Sequence, residues 1–541
     1  MTDPSSSPSP TAESDSGEQR GQFNSQKMFI LAAVGSAVGL GNIWRFPYVA
    51  YENGGGSYLI PYLVALFTAG VPFLFFEYAI GHKFRASAPL AFRRLAKSTE
   101  WLGWWNVLTC LVIGSYYAAI LAWAGQYAYF SLTKAWGADP NAFFFGEVLK
   151  VAESPEFSFV PVLEDMWPMI IVWLVTIIIM VAGVSNGIGR LSVVLMPLLV
   201  VIFVALVIQS LLLPGASQGL NALFTPNWAA LFNPEVWVAA YGQVFFSLSV
   251  GFGIMITYAS YVGDREDMTG PAAIAAFANS GFELLAGIGV FAALGFMASA
   301  QGVDVGDVVS GGIGLAFIAF PAIINQAPAG ELLGGLFFFS LVFAGLTSMV
   351  SILEVPIAAL IDKTGWSRRP AVLVVMIPSA IVSIMVFGST SGLYALDTVD
   401  AFINAFAILA AGLTTTLIVT WGVRKLSVLR EHLNEDGTYH VGYWWHVCMG
   451  AITPALLGVS LVLEFINKAS APYEGYPNWY VAVFGWGVVV VLLIASAILS
   501  FVPWDPAIDT KDLNAVRDAK LKAESTGGHA SISATTNDSN A

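Results

Sequence analysis

The chain has 541 residues, of which 57% are hydrophobic and 11% charged. Charged residues make up about 25% of soluble domains, so this composition excludes a freely soluble protein and defines an integral membrane one. The net charge of −13 comes largely from the tails and outer loops; there it serves solvation, and it suggests no nucleic-acid partner.

Residues 1–22 are rich in Ser, Pro and acidic side chains and lack an apolar core, so they read as a disordered cytoplasmic tail and not as a signal peptide. Twelve apolar spans follow, at 28–50, 57–82, 104–132, 167–184, 190–213, 239–262, 271–300, 333–360, 371–388, 398–424, 443–467 and 478–503, each of the length needed to cross a bilayer. The expected fold is therefore all-α, with twelve transmembrane helices. Residues 504–541 read as a second cytoplasmic tail. With the N-terminus cytoplasmic, every Lys and Arg outside the first span lies on the inner side except Lys134, Lys150 and Lys468. The positive-inside rule thus puts both termini in the cytoplasm of a multi-pass protein of the cell membrane.

The first span is split at Val38, Gly39, Leu40, Gly41 and the sixth at Val250, Gly251, Phe252, Gly253. A break at that depth frees backbone groups, which lipid tolerates only where the helix is buried in protein or lines a cavity. The second motif lies five spans on from the first, so the two run in opposite directions. Residues 23–213 and 239–424 then form a five-plus-five inverted repeat with broken helices 1 and 6, and 443–503 adds two peripheral helices. Such repeats bind substrate and ion at the bilayer midplane. GxG also has a reading as a close helix contact.

Asn42, Ser247 and Asn279 are the polar residues at membrane depth around the breaks; each is either helix–helix glue or a ligand for a hard cation. Thr347 and Ser348, read alone, back-bond to their own helix. In the fifth span, Gly187 and Pro197 mark either local unwinding or an ordinary kink. Residues 301–330 contain GIGLAFIAFPAIINQAP, too short to span and expected to form a re-entrant or lid-like external loop. Cys110 and Cys448 read as small apolar core residues without functional content. No GxxxxGK[ST] or HExxH is present, and NGGG at 53–56 lacks the Lys of a phosphate loop, so the chain does not read as an enzyme.

The runs NIWRFPYVAYENGGGSYLIPY, LSVGFGIMITYASY and FAGLTSMVSILEVP strongly resemble the neurotransmitter:sodium symporter family, and particularly its bacterial amino-acid carriers, from about Arg20 to the end of the last span. The resemblance implies sodium-coupled import of a hydrophobic L-amino acid by alternating access. It implies one sodium site from the Ala37 carbonyl, Asn42, Ser247 and Asn279, completed by the substrate carboxylate. A second would use the carbonyls of Gly35, Val38 and Ala344 and the hydroxyls of Thr347 and Ser348. Gly39 stands where carriers of amines lacking a carboxylate tend to have Asp, so the substrate should bring its own. Tyr117 resembles the tyrosine that bonds that carboxylate. Ile113, Phe246, Ser249, Phe252, Ser348 and Ile352 would line the side-chain pocket, with Ala37, Gly41 and Ser247 beside the breaks.

The resemblance also implies an outer gate of Arg45 and Asp400 and an inner gate of Arg20 and Asp362, with Phe23 where relatives usually have Trp. Glu77 and Glu354 are expected to be structural hydrogen-bonders. Glu283 stands where chloride-dependent members have a small hydroxyl residue, so a built-in carboxylate would replace the anion and could carry a proton back outward. The implied partners are sodium, the amino acid and the surrounding lipid. A membrane receptor that binds the amino acid without turnover is the alternative; it would tolerate a missing ion site or gate, and none is missing here.

Overall fold

The structure is a computed structural model that describes residues 21–504 apart from Phe159, together with Ile508. Arg20, and with it one half of the expected inner gate, lies outside the described residues, as do most of the two expected tails.

Among the described residues the chain is helical, with only isolated bridges at Gly55–Pro226 and Pro161–Ser389 in place of strands. The broken first span is α1 (Gln26–Ala37) and α2 (Leu40–Glu52), bent by 51°. Next come α3 (Gly56–Phe84), α4 (Lys97–Phe130), α5 (Leu163–Val181) and α6 (Val184–Leu211). The sixth predicted span is divided into α7 (Pro234–Ser247) and α8 (Ile254–Ala259). The remainder are α9 (Thr269–Gln301), α10 (Gly330–Thr364), α11 (Arg368–Phe387), α12 (Gly392–Gly422), α13 (Tyr443–Gly475) and α14 (Asn478–Phe501). Ten described helices are individually long and apolar enough to cross a membrane, and the bent pair makes an eleventh. The sixth predicted span is the one that falls short, because α7 has 14 residues and α8 only 6.

Local chemistry explains the boundaries. The Ser25 hydroxyl accepts the Met28 N–H at 3.3 Å and starts α1, while Asn233 caps α7 ahead of Pro234 at its first position. Gly302 (φ 69°) and Gly365 (φ 67°) end α9 and α10 in the left-handed conformation that glycine adopts without strain. Gly187 lies in a wide turn, Val184–Gly189, that opens α6. The helix Gly312–Gln326 is too short to cross.

Burial sorts the helices into an inner and an outer set. The most apolar stretches of α3, α4, α9 and α10 are 67–78% buried, those of α5, α6, α11, α13 and α14 only 28–33%. Both halves of the first break pack on α9 and α10, and α7 and α8 pack on α3. The breaks are therefore enclosed by protein, as unpaired backbone in a bilayer requires.

Candidate functional site

At the first break Val38 and Gly39 are extended, with φ of −76° and −126°. The Gly39 N–H donates to Asn42 Oδ1 at 2.8 Å, so the side chain opening α2 satisfies the backbone the break exposes. At the second, residues 248–253 are non-helical, with Ser249, Gly251 and Gly253 at φ of 53°, 92° and 82°. Neighbouring helices satisfy this segment: the Gly251 N–H donates to Glu77 Oε1 at 3.1 Å, and Cys110 Sγ donates to the Phe252 carbonyl at 3.2 Å. Cys110 is one of the two cysteines read from the sequence as small apolar core residues. It is buried as expected, but its thiol holds a backbone group of the break; burial is legible in a sequence, a cross-helix acceptor is not.

The breaks meet at Asn279. Asn42 Nδ2 donates to Asn279 Oδ1 at 2.7 Å, and Asn279 Nδ2 donates to Ser247 Oγ at 3.0 Å. The Asn279 amide lies 3.1 Å from the Ala37 carbonyl and 3.2 Å from the Ser247 carbonyl, and with its nitrogen turned to them it donates to both. One side chain of α9 thus gathers a carbonyl from each broken helix beside Asn42 and Ser247, oxygens of the kind hard cations prefer.

The other oxygen cluster lies between α1 and α10. A Cβ on Gly35 would meet Thr347 Cβ at 3.4 Å, which places the two side by side. The Thr347 hydroxyl donates within its own helix, 3.0 Å from the Ala344 carbonyl and 3.1 Å from that of Phe343. Ser348 Oγ lies 3.5 Å from the Ser36 carbonyl, which also accepts from Ser249 Oγ at 2.9 Å.

Gly39 faces Ser348 and Tyr117: a Cβ there would come within 2.9 Å of Ser348 Oγ and 3.6 Å of the Tyr117 hydroxyl. Gly41 lies under Phe246, whose ring occupies the space a Cβ would need. Phe252, Ile113 and Ile352 are buried.

Arg45 and Asp400 are not joined by an ion pair. The Arg45 guanidinium carbon is 4.5 Å from the Phe246 ring centroid, a cation–π arrangement. Asp400 instead accepts from the Tyr116 hydroxyl at 2.6 Å and from Asn404 Nδ2 at 2.9 Å. Asp362 Oδ2 accepts the Ser87 N–H at 2.7 Å. Phe23 packs on Phe29, Tyr258 and Tyr261, with centroids 5.6–6.2 Å away. Glu354 forms a two-pronged ion pair with Arg368, at 2.8 and 2.6 Å, and accepts from Tyr261. Glu283, fully buried on α9, accepts from Gln243 Nε2 at 2.6 Å and from the Tyr62 hydroxyl, itself 2.8 Å from Ser280 Oγ.

Two broken helices enclosed in a multi-pass bundle, with oxygen clusters at the breaks, define a membrane transporter of small molecules. The model of the sodium:neurotransmitter symporter family matches residues 20–142 and 138–505. A protein of Methanocaldococcus jannaschii described as an uncharacterized sodium-dependent transporter is 40% identical over 484 residues, covering 89% of this chain and 97% of its own length. The human sodium- and chloride-dependent GABA transporter 2 is 28% identical over 91% of this chain and 87% of its own. The crystal structure of MhsT in complex with L-phenylalanine superposes with a TM-score of 0.70 at 34% identity, covering 82% of this chain and all of that one. The chain belongs to the sodium:neurotransmitter symporter family; it is a sodium-dependent transporter and not an enzyme.

Proposed function

We propose that the protein imports hydrophobic L-amino acids together with two sodium ions by alternating access across the cell membrane, with both termini in the cytoplasm. The observation that carries the cation part is the meeting of Asn42, Ser247 and Asn279 with one carbonyl of each broken helix, those of Ala37 and Ser247, 3.1 and 3.2 Å from the Asn279 amide. A sodium ion there would take these oxygens, with the substrate carboxylate as the remaining ligand. The second ion would lie between Gly35, Val38, Ala344, Thr347 and Ser348, where Thr347 would exchange its intrahelical bonds for the ion.

The α-carboxylate would lie beside Gly39 and the Tyr117 hydroxyl, next to the N-terminus of α2, whose dipole favours an anion. The apolar wall of Ile113, Phe246, Phe252 and Ile352 suits an aliphatic, aromatic or thioether side chain. The L-phenylalanine bound by MhsT supports that class. Arg45 and Asp400 would close the outer path; Arg45 already lies on Phe246, which covers Gly41. Arg20 and Asp362 would close the inner one.

Glu283 would stand in for the chloride on which the human GABA transporter 2 depends. Its donors, Gln243 and Tyr62, are of the kind that would cradle an anion. A fixed carboxylate removes the need for one, and protonation of Glu283 in the empty protein would return a proton outward. Uptake by proteoliposomes tests the reading. Accumulation should require a sodium gradient, persist when gluconate replaces chloride, and be inhibited by hydrophobic amino acids but not by their decarboxylated amines. Equal accumulation in choline would overturn the sodium coupling, and a chloride requirement would overturn the role of Glu283.

A further inference from the structure

We infer that Ser351, through its hydrogen bond to Ser36, positions the last turn of α1 against α10 and so sets the geometry of the second cation site. The inference rests on the sodium-symport reading above and adds two residues that neither the cation sites nor the substrate pocket include.

The Ser36 hydroxyl donates to Ser351 Oγ at 2.8 Å, and the Ser351 hydroxyl donates to the Ser348 carbonyl at 2.7 Å. Both serines are at most 2% exposed. Each hydroxyl carries a single proton, so the chain of donors has one direction and α1 is tied to α10 in one register. The Ser36 carbonyl faces the other way, accepting from Ser249 Oγ at 2.9 Å with Ser348 Oγ at 3.5 Å. One residue thus joins the end of α1, the break between α7 and α8, and α10.

Its place in the chain gives this a consequence. Ser36 lies between Gly35 and Ala37, whose carbonyls are assigned to different ions, and Gly35 already abuts Thr347. A shift of the Ser36 peptide moves both. Without the Ser351 oxygen the Ser36 hydroxyl would turn to a carbonyl of its own helix, as buried serines do. The last turn of α1 would then no longer be pinned to the helix that carries Ala344 and Thr347.

Serines between membrane helices also act as plain glue, so the test must separate positioning from stability. Binding of radiolabelled L-phenylalanine to the purified full chain in lipid nanodiscs would be titrated with sodium at constant ionic strength, alongside the melting temperature. Ser351→Ala and Ser36→Ala should each raise half-saturating sodium about threefold to tenfold, the scale of one buried interhelical hydrogen bond. Maximal binding at saturating sodium should be retained. The double variant should shift no further than either single one, and Ser351→Thr, which keeps the hydroxyl, should restore the wild-type value. If Ser351→Ala does not fold, Ser351→Cys, with its weaker acceptor, should shift the curve in the same direction. Curves within twofold of wild type for the single variants, or a double-variant shift equal to the product of the singles, would overturn the inference. A wild-type curve flat in sodium would instead overturn the symport reading on which it rests.

Discussion

The two broken helices share a motif, VGLG at 38–41 and VGFG at 250–253, yet they are different structures. The first break is two residues wide with ordinary negative φ, and its exposed N–H is met three residues on by Asn42. The second is six residues wide, takes positive φ at three of them, and draws its partners from α3 and α4. A narrow break can be self-capping. A wide one in a membrane depends on its neighbours, because no water supplies the missing bonds. The glycines therefore matter for different reasons: Gly39 and Gly41 for the space a Cβ would take, Gly251 and Gly253 for their backbone conformation.

The largest effect should come from removing the outside support of the wide break. Glu77→Leu leaves the Gly251 N–H buried without an acceptor, at about 1–3 kcal/mol by soluble-protein measures, and uptake should fall to background; Glu77→Gln, which keeps an acceptor, should retain part of it. A Leu variant with normal uptake would break the comparison. At the narrow break, Gly41→Ala collides with the Phe246 ring, while Gly39→Ala meets only the movable Ser348 hydroxyl. Overpacking costs about 1–3 kcal/mol, so the melting temperature should fall further for the Gly41 variant than for the Gly39 variant. Adding Phe246→Ala should bring the melting temperature of Gly41→Ala back to that of Phe246→Ala alone, but should not do so for Gly39→Ala.

Gly253→Ala comes next. A left-handed conformation costs a non-glycine residue about 1–2 kcal/mol, and Asn106 Cβ and Ala88 Cβ stand 3.1 and 3.2 Å from the added carbon; the melting temperature should drop. The smallest effect belongs to Cys110: replacement by Ala should lower stability by about 0.5–1 kcal/mol, and Ser should be nearer to wild type. Equal losses for the two would deny the thiol its role at Phe252.

The glycine pairs, the Asn42–Ser247–Asn279 group and the Tyr117–Gly39–Ser348 group were legible in the sequence because depth in an apolar span and position in a motif are properties of the chain. The width of the second break was not, since the same tetrapeptide pattern allows either geometry until the neighbours' side chains choose. For the same reason Cys110 read as a small apolar core residue, and no motif marks Ser36 or Ser351. Arg45 and Asp400 were expected as a pair, but Arg45 lies on Phe246 and Asp400 is held by Tyr116 and Asn404. Which of several nearby partners a charge takes depends on packing that no span boundary reveals.

The central claim is that the two breaks together hold a sodium ion that the substrate completes. Equilibrium dialysis of radioactive sodium against the purified protein, with and without a saturating hydrophobic L-amino acid, tests it most directly. The account predicts two sodium ions per chain when the amino acid is present, and one when Asn279→Ala removes the oxygen shared by the breaks. Sodium binding that ignores both the amino acid and Asn279, or no sodium binding at all, would contradict it.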